Sequence, residues 1–106
     1  MKRYLLEGIV IATDWYDQTG YALVQIETDE EKLLDIKEEP LQDYLSYGVR
    51  CVDYVDFRVY EKKYVSVDGY SGWLISDKPI EEIEAGKIPT GFEFPEVPIE
   101  PVKIDY

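Results

Sequence analysis

Val49-Arg50-Cys51-Val52-Asp53-Tyr54-Val55-Asp56-Phe57-Arg58-Val59-Tyr60 is the stretch that decides the fold class. In a strand, successive side chains point to opposite faces. One face then carries Val49, Cys51, Asp53, Val55, Phe57 and Val59. The other carries Arg50, Val52, Tyr54, Asp56, Arg58 and Tyr60. The first face reads as core, with Cys51 as a small buried hydrophobe. The second reads as an amphipathic surface. The wealth of β-branched and aromatic residues makes this the longest strand candidate and the domain mainly β.

Working outward toward the N-terminus, residues 3–13 read as a strand in which Gly8 marks a bulge or sharp bend. Residues 14–20 form a turn, and 21–28 return as the second arm of an antiparallel hairpin. Asp29-Glu30-Glu31-Lys32 reads as a turn before a short strand over 33–37. Pro40 opens a short helix with Leu41, Tyr44 and Leu45 on one face and Gly48 past its end. Downstream of Tyr60, Glu61-Lys62-Lys63 reads as a charged turn, 64–67 as a strand, Asp68-Gly69 as a hairpin turn and 73–76 as a last strand. Ser76 or Asp77 caps a second short helix. Pro79 lies in its first turn, Glu81 and Glu82 near its positive end, Ile80 and Ile83 on its buried face, and Gly86 ends it.

Residues 1–86 therefore read as a β-rich core domain and 87–106 as an extended arm. Pro95, Pro98 and Pro101 repeat every third residue, the period of a polyproline II helix. The interleaved Phe92, Phe94, Val97, Ile99, Val102 and Ile104 predict packing along the domain or against another subunit. The expected fold is mainly β (α+β): a small antiparallel β-barrel or curved sheet, OB-like or SH3-like in element order, with two short helices and the Pro-rich arm.

Charge narrows the function classes. Twenty-three Asp and Glu face eleven Lys and Arg in 106 residues, a net charge of −12, with no histidine. Such a surface repels phosphate backbones and anionic membranes and attracts basic partners. The commonest catalytic base and metal ligand is missing, as is any Gly-rich phosphate loop. The single cysteine, Cys51, excludes an intramolecular disulfide. The apolar runs fall far short of the roughly 20 residues of a membrane helix, so an intracellular location is expected. Absence of Asn, few Gln and abundant Glu and Lys match the composition of hot environments.

Four groups of candidate functional residues stand out. Trp15 and Tyr16, flanked by Asp14 and Asp17, sit in the first hairpin loop, and Tyr70 beside the second, where aromatics serve as interface anchors. Glu81, Glu82 and Glu84 form an acidic run that solvation also explains. Asp53 and Asp56, three apart, lie on opposite faces of a regular strand, and a bulge between them is needed to bring them together. The Arg50/Tyr54/Arg58/Tyr60 face suits an anionic ligand or, preferably, the arm's Glu93, Glu96 and Glu100.

These features predict a non-catalytic acidic module that binds a basic protein, its carboxylates standing in for nucleic-acid phosphates. In size and charge it is similar to small acidic inhibitors carried by viruses or plasmids. One alternative is an assembly subunit that forms a homo-oligomer through the C-terminal arm and exposed aromatics. Another is a carboxylate-dependent metal- or ligand-binding barrel. No catalytic, cofactor or metal site is expected, and direct nucleic-acid binding is disfavoured.

Overall fold

The computed structural model describes residues 2–42, 48–96 and 100–106. Among these residues six strands and one helix follow in the order β1 (Arg3–Asp14), β2 (Thr19–Asp29), α1 (Glu30–Glu38), β3 (Val49–Val67), β4 (Tyr70–Ile75), β5 (Glu81–Gly86) and β6 (Val102–Asp105). They build one curled, open sheet in the order β4-β3-β1-β2-β6, with β5 also paired to β3. All pairings are antiparallel except β2–β6, which is parallel. Among the described residues no helix is long and apolar enough to cross a membrane.

β1 is the central strand. It pairs with β2 from Arg3↔Asp29 to Thr13↔Thr19 and with β3 from Arg3↔Lys62 to Asp14↔Val49. Alternation then sorts its side chains. Tyr4, Leu6, Val10 and Ala12 join Val24 and Ile26 of β2, Val55, Phe57 and Val59 of β3, and Ile83 of β5 in one buried cluster on the inner face. Fully burying such side chains contributes about 1.5–3 kcal/mol each. Leu33 and Ile36 of α1 complete the cluster, and Ile104 and Tyr106 pack against it from the far edge.

Gly8 produces neither a bulge nor a break, since the register runs through it on both sides. It serves close approach instead. A Cβ there would fall inside the van der Waals envelope of the Asp56 carbonyl oxygen, so β1 and β3 meet at a distance that glycine permits.

The expected helices are corrected. The one helix among the described residues, α1, occupies the acidic run and the short strand expected over 33–37. Asp29 caps it, its Oδ1 accepting from Lys32 N at 2.8 Å. Glu30 and Glu31 sit in the first turn and Lys37 in the last, each matched to the helix dipole. Leu33 and Ile36, three apart, share the buried face. The helix expected over 77–86 is instead strand β5, because Glu81–Gly86 supplies the hydrogen-bond partners that Tyr54–Val59 of β3 would otherwise lack. In the helix expected after Pro40, Pro40 and Leu41 lie in a turn, while Tyr44 and Leu45 lie outside the described residues. Pro98, the middle of the proline repeat, also lies outside them.

β3 also departs from expectation. Glu61-Lys62-Lys63 is no turn, and the strand runs unbroken to Val67. Asp68 (φ 49°) and Gly69 (φ 79°) then make the expected two-residue turn, both in the left-handed region. β4 and β5 occupy the same edge of β3, interrupted at 76–80. Ser76 N donates to Glu61 O and Ile80 N to Val59 O across that interruption. Of the two expected forms, barrel or curved sheet, the molecule takes the curved, open sheet, because the far edge of β2 pairs with β6 rather than with β3 or its hairpin.

Candidate functional site

A bulge at Asp53 decides which side chains share a face. The register passes from Ile11↔Tyr54 to Ala12↔Val52, leaving Asp53 unopposed. Beyond the bulge the alternation changes phase: Val52 is buried and Cys51 is exposed. This corrects the core face expected from strict alternation and the expected burial of Cys51. The Asp53 carboxylate accepts from the Thr13 hydroxyl at 2.6 Å, with the Cys51 thiol 3.7 Å from its other oxygen. Thr13 and Asp56 both belong to the outer face, so the bulge brings Asp53 round to the side of Asp56. Tyr54 separates the two. Among the described residues no three Asp, Glu or Cys side chains form a group able to hold a metal ion.

The outer face carries a polar row across five strands. Register places Glu82 (β5), Arg58 (β3), Glu7 (β1), Gln25 (β2) and Lys103 (β6) side by side. Gln25 Nε2 donates to Glu7 Oε1 at 3.0 Å. In the next row Glu84 lies opposite Asp56, and the Tyr54 hydroxyl donates to Glu84 Oε2 at 2.6 Å. Two hollows of about 410 Å³ each flank this row and share Glu7 and Gln25 in their walls. Asp56, Arg58, Tyr60 and Pro101 also line the first; Glu27, Ile75 and Lys103 also line the second.

Both ends of this face are built up. After β5 the chain crosses over it: Lys87 N donates to Asp53 O, Phe94 packs edge-on against Tyr21 with centroids 5.3 Å apart, and β6 rejoins the sheet beyond β2. At the other end Lys62, its side chain 10% exposed, pairs with Glu27 at 3.0 Å and lies 5.5 Å from the Trp73 ring centroid.

The sequence-predicted residues fall in three separate places. In the β1–β2 loop, Asp14 Oδ1 accepts from Tyr16 N at 2.8 Å and Gln18 N at 2.9 Å, and Asp17 pairs with Arg50. Both carboxylates thus shape the loop, leaving Trp15 and Tyr16 69% and 87% exposed. Tyr70 begins β4 near the hairpin tip, toward the opposite end of a molecule whose long axis is 53 Å. Between these ends lies β5. Its Glu82 and Glu84 face outward with Arg58 and Asp56, while Glu81 turns inward and pairs with Lys37 of α1 at 3.0 Å.

The described residues include no ion pair between Arg58 and Glu93, Glu96 or Glu100. The arm instead brings Asp105 to Arg3, at 3.6 Å. Glu7, Gln25 and Lys103 are the outer-face residues that sequence reasoning missed. The hairpin pairing already set Glu7 and Gln25 on one face, but adding Arg58, Glu82 and Lys103 requires the strand order. No family model, curated protein or solved structure matches the chain.

Proposed function

We propose that this chain is a non-catalytic protein-binding module that docks its acidic outer face on a basic partner. The observation that carries this reading is the cross-strand placement of Glu7, Asp56, Glu82 and Glu84 on three adjacent strands around one arginine. Hydrogen-bonded strands space such carboxylates at roughly 5 Å across the sheet and 7 Å along it. A rigid array of this kind is pre-organised for lysines and arginines that otherwise meet phosphates, and its long-range field speeds encounter. Arg58, with no ion pair among the described residues, gives the array a contact for one acidic group of the partner.

The test is capture of basic nucleic-acid-binding proteins from host lysate on the immobilised chain, with the Glu82→Gln/Glu84→Gln variant beside it. The reading expects retention at low salt, release at high salt and weaker retention by the variant. Equal retention by the variant would remove the outer face from the reading.

The assembly reading is favoured by a different observation. The β3–β4 ribbon leaves the sheet with Tyr64, Val67, Tyr70 and Leu74 each more than half exposed. The end of the C-terminal arm, by contrast, pairs with its own sheet as β6.

A further inference from the structure

The β3–β4 ribbon differs in charge from the rest of the molecule. Between Glu61 and Lys78 three lysines (Lys62, Lys63, Lys78) balance three acids (Glu61, Asp68, Asp77), so the whole net charge of −12 falls on the remainder. Within it, Tyr70-Ser71-Gly72-Trp73-Leu74-Ile75 carries no charge and no proline. This segment is β4, the terminal strand of the sheet. Natural edge strands are guarded by charge, proline or a covering element. The β5 edge has Glu82 and Glu84, and the β6 edge has Lys103 and Asp105 behind Pro101. Among the described residues β4 has none of these guards.

The hydrogen-bond phase shows which amides it offers. Ser76 N donates to Glu61 O, one step beyond the Lys62↔Ile75 pair. Antiparallel pairs alternate between bonded and non-bonded. Leu74, Gly72 and Tyr70 therefore bond to β3, and the N–H and C=O groups of Ser71, Trp73 and Ile75 point to the open edge. The bonded Val67–Tyr70 pair is the one a two-residue turn requires.

We propose that β4 pairs antiparallel with β4 of a second copy of this chain, making a two-fold dimer whose ribbons merge into a four-stranded sheet. This goes beyond the acidic docking reading and stands independently of it. An uncharged edge strand is complementary to itself in antiparallel pairing. That geometry overlaps the two neutral ribbons and sends the two acidic bodies to opposite ends, where their repulsion is least.

Six large side chains of the ribbon, Tyr64, Val67, Tyr70, Trp73, Leu74 and Ile75, are 47–81% exposed. Tyr70, Trp73, Leu74 and Ile75 lie on β4 itself, and at roughly 100 Å² each they present at most about 400 Å² per copy to an edge partner, about half the ~800 Å² per partner of a stable interface, to which the backbone hydrogen bonds of the new strand pair are added. Tyr64 and Trp73 already pack edge-on, with centroids 5.4 Å apart, and pairing across the dyad extends that aromatic row. The other edge of the ribbon, β3 beyond the Arg3↔Lys62 pair, begins with the charged Lys63, so addition closes at two copies.

The experiment is sedimentation of the full chain from low to high micromolar concentration, with amide hydrogen exchange. The expected result is a species of twice the 12.4 kDa chain mass, strengthened by added salt because screening relieves body–body repulsion. Protection at Ser71, Trp73 and Ile75 should rise with concentration. Ser71→Pro removes an outward N–H, which an edge strand tolerates, and Ser71→Lys places a charge on the edge. Each should raise the dimer dissociation constant at least about tenfold, or 1.4 kcal/mol. Trp15→Ser, in the β1–β2 loop, should leave it unchanged. A monomer at every concentration with salt present would overturn the proposal. So would dimerisation of a folded Ser71→Lys variant at the wild-type constant.

Discussion

The Tyr54 hydroxyl donates across the β3–β5 pairing to Glu84, 2.6 Å away, while Asp56 lies directly opposite Glu84 on the same face. The hydrogen bond holds the phenolic proton most strongly. Burial of the ring and the charges of Glu84 and Asp56 add to it, and together they push the pKa from 10.0 up to about 12. A group that binds its proton more tightly folded than unfolded stabilises the fold fully below the unfolded pKa. That contribution drains as pH rises from 10 through 12. Tyr54→Phe should therefore be less stable than wild type at neutral pH, by about 1 kcal/mol for the lost hydrogen bond. The difference should shrink above pH 10. Urea unfolding across that range measures it, and a wild-type advantage that persists unchanged beyond pH 12 would contradict the assignment.

Gly8→Ala tests the close approach of β1 and β3. The obstructing atom is the Asp56 carbonyl oxygen, part of a hydrogen-bonded ladder, so it cannot rotate aside as a side-chain terminus would. Overpacking of a core costs about 1–3 kcal/mol, and a backbone obstruction belongs at the upper end or above. Chemical denaturation should show a loss of about 3 kcal/mol. A loss below about 0.5 kcal/mol, the usual surface value, would mean that the strands separate there at little cost.

What the sequence disclosed depended on how local each signal was. The β1–β2 hairpin and the Asp68-Gly69 turn were legible because alternation and turn chemistry act within a few residues. Residues 76–86 carry a cap at Ser76 or Asp77, acidic residues near the expected start and a terminal glycine, all suited to a helix, yet β3 required a partner along that edge and tertiary pairing prevailed. Asp29-Glu30-Glu31-Lys32 reads as a turn, although an N-cap followed by two acids is also a helix start. The Asp53 bulge could not be seen in an alternating run, since its cause is the mismatch with β1. The site was half visible for the same reason. Glu82 and Glu84 were singled out, but the row joining Glu82 and Arg58 to Glu7, Gln25 and Lys103 exists only once five strands are ordered.

Asp29→Ala isolates the cap. Asp29 Oδ1 satisfies the amide of Lys32, and α1 brings Leu33 and Ile36 into the core. Loss of an Asp cap costs about 1 kcal/mol. The same change made at Asp77, where the expected helix is absent, should cost less than about 0.5 kcal/mol as an exposed surface substitution. Thermal unfolding of the two variants side by side reads the contrast, and equal losses would contradict the helix assignment.

Thr28 gives the opposite sign. It lies across from Tyr4 on the inner face and is fully buried, and its hydroxyl has no hydrogen-bond partner among the described residues. A buried polar group without a partner carries its desolvation cost with nothing to offset it. Valine replaces the hydroxyl with a methyl of similar size, keeps the β-branched shape suited to β2 and adds apolar burial. Thr28→Val should raise stability by about 1 kcal/mol while leaving the cap at Asp29 in place. A loss of stability in the denaturant midpoint would show that the hydroxyl is satisfied in solution, most simply by a water bound between β2 and the start of α1.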